Sequence, residues 1–423
     1  MLISNRFIYC SILLVGIIFP VCGNAQTSKL MNEYSVKRLT EEDGFVSSEI
    51  YSIIQDKQGF LWFGTAENGV MRYDGRKVTL FEYDILSSNG LAHNDAGNLM
   101  LDHNGKIWIG TWGGGANFYD PQTGVFKNFI HDPLRVNSIS SNRIQSLFHD
   151  QQGVIWLGSY DKGLSRYLGN NNFEHIEKID DASSALSHNR IWDIEDSDSD
   201  SLCVATSFGL NLYDKTKRTF SNFLPAPENK TPTGANEIRS ILKTSKKQLY
   251  VGTQRGPFTF DKRSALFTPL KTFDDEYLGQ VNSMIEDQEG YIWFVTSKGL
   301  FRQSNSGPQI EQFNLEQNNG LRVIFEDSAR TIWVTSETHG IYKLIPHRKF
   351  KSINNPELTA PNGIVTDANG DLLIVSSSSQ LYRWDISSQT LEKLSGPIFQ
   401  NGDDESKLFE KPIIFPDGTD TLW

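Results

Sequence analysis

Cysteine is nearly absent: three occur in 423 residues, and two of them, Cys10 and Cys22, lie in the first 25. The single thiol beyond that, Cys203, rules out an intramolecular disulfide framework, so the fold must be held by packing. Basic charge is also short, with 40 Lys and Arg against 51 Asp and Glu, a net charge of −11. With no basic clusters, this balance argues against nucleic acid and anionic lipid as partners. No heptad pattern, collagen repeat or low-complexity tract is present. Long apolar runs are missing except at the start of the chain.

That one run extends from Phe7 to Val21, broken by Ser11, Gly16 and Pro20, after Arg6 and before Gly23-Asn24-Ala25. A charged start, an apolar centre and small residues before Gln26 form a secretory signal peptide, cleaved after Ala25. The run falls short of the ~20 residues of a spanning helix. Val21 before Cys22 speaks against a lipoprotein site. Cleavage removes Arg6 and no acid, so the exported chain carries one more negative charge.

What is abundant is aromatic and turn-forming: 26 Phe, 14 Tyr, 9 Trp and 34 Gly. Aromatics favour strands and Gly favours turns. One pattern recurs, an apolar residue, usually Trp, apolar, small, then Thr or Ser. It appears as Leu61-Trp62-Phe63-Gly64-Thr65, Ile107-Trp108-Ile109-Gly110-Thr111 and Ile155-Trp156-Leu157-Gly158-Ser159, and again around Cys203, Tyr250, Trp293, Trp333, Leu373 and Trp423. These markers stand 46, 48, 47, 47, 43, 40, 40 and 50 residues apart, periods that suit propeller blades. Six residues before the marker an Asp recurs (Asp56, Asp102, Asp150, Asp287, Asp327, Asp367, Asp417), and three before it a Gly (Gly59, Gly105, Gly153, Gly290, Gly370). Asp-x-x-Gly between apolar runs is a tight turn joining an inner strand to the strand that carries the Trp. Third strands ending in aromatic-Asp pairs and a more polar fourth complete each unit. The expected fold is all-β: a seven-bladed β-propeller of four-stranded antiparallel blades, followed by the start of a second propeller. The marker Trp side chains pack between blades, and Cys203 in the same column is a buried, inert thiol.

The segment from Asn137 to Ile144, with His149-Asp150-Gln151-Gln152-Gly153-Val154-Ile155-Trp156-Leu157-Gly158 and Gly163-Leu164-Ser165-Arg166-Tyr167, resembles the two-component regulator propeller repeat. The resemblance runs over nearly the whole exported chain. It implies seven-bladed rings, often two in tandem, at the periplasmic end of a sensor. A β-sandwich, a transmembrane helix and a cytoplasmic histidine kinase or diguanylate cyclase then follow. On this basis residues 1–25 are the signal peptide, 26–355 the first propeller and 356–423 the opening blades of a second. Either Val36–Leu39 or Phe350–Ile353 supplies the strand that closes the first ring. The halt at Trp423, just inside a strand, reads as a truncated product.

Candidate ligand residues lie on the face where the loops before the inner strands meet those between second and third strands. Fourteen residues before the marker stand Asn94, Asn142, Asn189, Asn236 and Asn319, read as turn residues; one position later come Asp95, Arg143, Arg190 and Glu237. The forks of Arg143 and Arg190, in adjacent blades, suit an anionic or polyhydroxy ligand. Trp112 and Tyr160, with Arg255 in the equivalent loop, complete the expected face, where aromatic surface beside polar groups suits sugar stacking. No catalytic residue, metal site or cofactor is expected: Asp196–Asp200 lacks the Gly and Glu of a calcium loop, and Gly113–Gly115 lacks the Lys-Ser/Thr of a phosphate loop. The reading is a periplasmic module that senses a small solute or oligosaccharide, in a signalling protein of the inner membrane with kinase or cyclase output. An exported polysaccharide enzyme and a dimeric interaction scaffold are the alternatives.

Overall fold

The computed structural model describes residues 33–86, 90–179, 184–228, 234–271, 276–304, 307 and 309–347, and in the C-terminal part 358, 361–366, 371–376, 380–385 and 390–394. The signal peptide, Phe350–Ile353, Asp367, Asp417 and the Trp423 marker lie outside these residues. The chain divides into two compact units, Met1–His347 and Arg348–Trp423.

The first unit holds seven four-stranded antiparallel sheets. Blade 1 runs through Ile50–Gln55, Leu61–Thr65, Val70–Tyr73 and Val78–Phe81. The next five blades begin with inner strands Asn98–Leu101, Ile144–His149, Ile191–Asp198, Ile238–Lys243 and Val281–Glu286. Blade 7 takes three strands from the end of the unit, Leu321–Glu326, Ile332–Ser336 and Gly340–Pro346. Its fourth is the first strand of the chain, Tyr34–Leu39, paired from Tyr34 opposite Pro346 to Leu39 opposite Ile341. Val36–Leu39 is therefore in the closing strand, and the ring has seven blades. Each inner strand packs on the next, and that of blade 7 packs on that of blade 1.

The repeated columns have direct physical roles. In five blades the marker indole is buried and its Nε1–H donates to the Asp six residues earlier at 2.7–3.1 Å, as in Trp62 to Asp56 and Trp333 to Asp327. The other carboxylate oxygen of that Asp accepts two backbone N–H groups of the turn, so one side chain fixes both turn and ring. Each Trp packs against the following blade: Trp62 clusters with Leu99, Ile107 and Tyr119, and Trp333 with Ile50 and Phe63. Where Gly stands two after the marker, in blades 1, 2, 3 and 5, that packing leaves no room for a side chain. A Cβ on Gly158 would lie 2.5 Å from Ile191 of the next blade and 2.3 Å from Ser146 Oγ.

The second unit contains one described antiparallel sheet of four strands, Pro361–Thr366, Leu372–Ser376, Leu381–Asp385 and Thr390–Lys393. Its Arg383 pairs with Asp371 at 2.7 Å. Among the described residues no helix is long and apolar enough to cross a membrane.

Candidate functional site

The face built by the predicted loops is held by backbone and hydroxyl bonds repeated from blade to blade. In blades 1 to 6 the Thr or Ser at the end of the second strand donates its hydroxyl to the carbonyl of the Gly at the start of the third, as in Thr111 to Gly115 at 2.8 Å and Ser159 to Gly163 at 3.0 Å. The Asn column clamps the incoming loop: Asn94, Asn142 and Asn189 Oδ1 accept from the backbone N–H eleven residues earlier at 2.6–2.7 Å. Within a blade, Trp112 N–H donates to the Asp95 carbonyl and Tyr160 N–H to the Arg143 carbonyl, and neighbouring blades are stitched together by Gly113 N–H to the Asn142 carbonyl and Gly163 N–H to the Asn189 carbonyl. Trp112 and Tyr160 thus stand beside the residues that enter their own inner strands, and a backbone bridge sets Trp112 beside Arg143 of blade 3.

These side chains form a continuous array of alternating cations and rings across four blades. Trp112 and Tyr160 meet edge to face with centroids 4.6 Å apart. The Arg143 guanidinium lies 5.9 Å from the Trp112 ring centre and 5.2 Å from that of Tyr160. Arg190 sits 4.1 Å from Tyr160 and 4.0 Å from Trp192, and Arg239 lies 4.7 Å from Trp192. Such contacts hold guanidinium planes against ring faces and leave N–H edges for a ligand. Acids anchor both ends. Arg143 pairs with Asp161 at 2.5 Å, and Arg239 Nε and Nη2 each reach Glu237 Oε1 at 2.9 Å. Arg190 has no such acid: its Nε is buried without a hydrogen-bond partner. Burial lowers its pKa, against the upward pull of Tyr160 and Glu237.

Trp112, Trp192 and Arg239 also line a cavity of about 600 Å³ along the inner strands. Its wall carries Asp193, whose carboxylate accepts N–H groups from Ile194 of its own blade and Ile241 of the next. Burial pushes Asp193 up to about 7; burial and then the neighbouring Asp193 push Glu195, two residues on, to about 7. The other blades carry Ser52, Asn98, Ser146, Ser240, Ser283 and Val323 where Asp193 stands. On the far wall Arg322 lies 5.3 Å from the Tyr51 ring and pairs with Glu337.

Four of the five sequence-derived candidates, Trp112, Arg143, Tyr160 and Arg190, come together in this array. Arg255 does not join it: it is exposed, its guanidinium lies over Gly234, and it makes no ring contact with the others. Two members, Trp192 and Arg239, were not anticipated. They occupy the second position of the inner strand, where a register shift in blades 1, 3, 4, 5 and 6 turns one residue out of the ladder. The column Tyr51, Gln145, Trp192, Arg239, Asn282, Arg322, polar or aromatic next to apolar neighbours, carried the signal.

Three segments match the family model of the two component regulator propeller: residues 44–67, 90–113 and 138–161, each an inner strand, turn and Trp strand of blades 1 to 3. No curated protein matches. Among solved structures the chain is similar to the extracellular domain of a hybrid two-component system from B. thetaiotaomicron, with 21% identity and a TM-score of 0.65. That match covers 86% of this chain and 49% of the other, so the chain spans about half the length of that relative. It is also similar to streptogramin B lyase, at 12% identity and TM-score 0.56 over 75% of this chain and 99% of that one. Catalytically inactive virginiamycin B lyase from Staphylococcus aureus with quinupristin matches at 16% identity and TM-score 0.56, over 74% and 99%. At these identities the likenesses speak for the propeller fold.

Proposed function

Because this chain carries the two component regulator propeller repeat, we propose that its seven-bladed unit is the extracytoplasmic, solute-sensing part of a membrane signalling protein, with the channel mouth as its binding face. The observation that carries the reading is the cation–aromatic array: Arg190 holds a buried, unpartnered Nε between two rings and beside a cavity, an arrangement suited to a ligand acceptor. The ligand class that fits is a sugar or organic acid with carboxylate or hydroxyl acceptors for the guanidinium edges and an apolar face for Trp112 or Trp192. In the relative from B. thetaiotaomicron an extracellular domain belongs to a hybrid two-component system. By analogy the full-length protein is periplasmic at this end and a sensor histidine kinase at the other, and the propeller supplies binding while the output region supplies chemistry.

The test is a thermal-shift screen of the exported chain against oligosaccharides, uronates and small organic acids. A ligand at 100 times its Kd stabilises the fold by about 2.7 kcal/mol. A hit abolished by Arg190→Ala and by Trp112→Ala, with both variants folded, supports the reading. Hits that survive both substitutions, or a folded protein that responds to no solute, contradict it.

A further inference from the structure

Blade 4 lacks the Trp–Asp pair that packs five of the other blades: Cys203 stands in the Trp column and Ser197 in the Asp column. Three groups surround the indole elsewhere. They are the Asp, the third-strand residue opposite it (Arg72, Phe118, Arg166, Arg302 or Lys343), and an aromatic of the next blade such as Tyr119, which lies 5.4 Å from Trp62. Their counterparts at the blade 4 to blade 5 interface are Ser197, Leu212 and Phe260, and all three line a cavity of about 310 Å³. The space an indole takes elsewhere is thus open here, with an apolar wall of Leu212, Leu249 and Phe260.

The mouth of this cavity is cationic. Lys243, Lys247, Lys262 and Arg263 line it, against one lining carboxylate, Asp261. Asp261 is spent on its own turn, accepting from Arg263 N–H at 2.8 Å and Ser264 Oγ–H at 2.9 Å. Lys262 Nζ already touches the wall, 3.0 Å from Ser197 Oγ and 2.7 Å from the exposed Asp198. Glu195, opposite Cys203 in register, adds an acid near Lys243, and burial holds it largely protonated below neutral pH. Cys203 itself is buried, and burial pushes its thiol up to about 12, so it acts as a small apolar filler and not a nucleophile.

We propose that this interface is a second small-molecule site, which takes a planar aromatic carboxylate with its ring in the place of the missing indole and its carboxylate on Lys243 and Lys262. It is independent of the channel-mouth site. The volume is at the lower end of ligand pockets and fits a one- or two-ring molecule. The recognition is apolar surface beneath charge-assisted hydrogen bonds.

The test titrates the exported chain with indole-3-carboxylate by calorimetry, with neutral indole as control. Saturable binding at one site is expected, weaker by at least tenfold for indole and weakened by salt. The Cys203→Trp/Ser197→Asp double variant rebuilds the internal pair and is expected to lose binding. Lys243→Ala/Lys262→Ala, checked for native-like circular dichroism, is expected to weaken it at least fivefold, while Arg190→Ala leaves it unchanged. Absence of binding to the native chain up to millimolar probe overturns the proposal. So does undiminished binding by either double variant, or equal affinity for indole.

Discussion

Removing one turn carboxylate, that of the buried Asp327, is expected to cost far more than a turn substitution ordinarily does. Asp327 Oδ2 accepts the Trp333 indole N–H at 2.8 Å, and Oδ1 accepts the Ala329 and Thr331 N–H groups at 2.9 Å each. The indole is only 1% exposed and Thr331 only 5%, so Asp327→Ala leaves two buried donors without water, together with the Ala329 N–H nearer solvent. Bonds to a charged acceptor contribute about 1.5–3 kcal/mol each, and only the Ala329 donor recovers part of its bond from water, so the expected loss is at least about 4 kcal/mol. Asp327→Asn keeps one acceptor oxygen and is expected to lose about half of that. Ser197→Ala, at the same position in blade 4, whose marker is Cys203, is expected to cost under about 1 kcal/mol. Urea unfolding followed by far-UV circular dichroism gives the differences, compared at constant m. Asp150→Ala is expected to exceed Asp327→Ala, since Lys215 Nζ lies 3.0 Å from Asp150 and loses its nearer partner. Equal losses in Asp327→Ala and Ser197→Ala would refute the argument.

Other consequences follow from packing and charge. Asp193 and Glu195 hold protons to about 7 in the fold, whereas unfolded carboxyls titrate near 4. The folded chain therefore binds more protons between about pH 4 and 7, and the contribution of this pair falls as pH rises through that window. Glu195→Gln is expected to flatten that fall, gaining about 1–3 kcal/mol at pH 8 relative to pH 4 in urea titrations; an unchanged pH profile would contradict it. Gly158→Ala forces a Cβ onto Ile191 and is expected to cost about 1–3 kcal/mol by thermal unfolding, and a neutral result would count against the tight blade contact. Deleting residues 33–39 leaves the Gly340–Pro346 strand of blade 7 with an open edge and removes Tyr34 from the core, so loss of cooperative unfolding is expected in calorimetry. A native-like melt would mean that another strand closes the ring.

The blades were legible because their repeat is a packing code: Trp62, Asp56 and Gly59 each recur at a position with one geometric solution. Ring closure was not settled, since Val36–Leu39 and Phe350–Ile353 are both plausible outer strands and only pairing with Ile341–Pro346 distinguishes the first. At the mouth, Arg143 and Arg190 were visible as the column that follows the turn Asn, and Trp112 and Tyr160 by their place in the loops between second and third strands. Trp192 and Arg239 were hidden by strand alternation, which assigns the second inner residue to blade packing, whereas the bulge turns it toward the channel. Arg255 lies in the equivalent loop but one position later from its marker than Tyr160, and its side chain runs toward Gly234. Column membership fixes backbone position and leaves side-chain direction to local neighbours.

The central claim is that Trp112, Arg190 and Trp192 together receive the solute. The most direct measurement is ligand-dependent tryptophan fluorescence with acrylamide quenching, because the five marker indoles of the ring are buried and hydrogen-bonded to Asp, whereas Trp112 is 38% exposed. A solute identified in the screen should protect a quenchable fraction that disappears in Trp112→Phe/Trp192→Phe, and Arg190→Ala should shift the midpoint at least tenfold. Protection that persists in the double variant, or a midpoint unchanged without Arg190, would place the solute elsewhere and contradict the account.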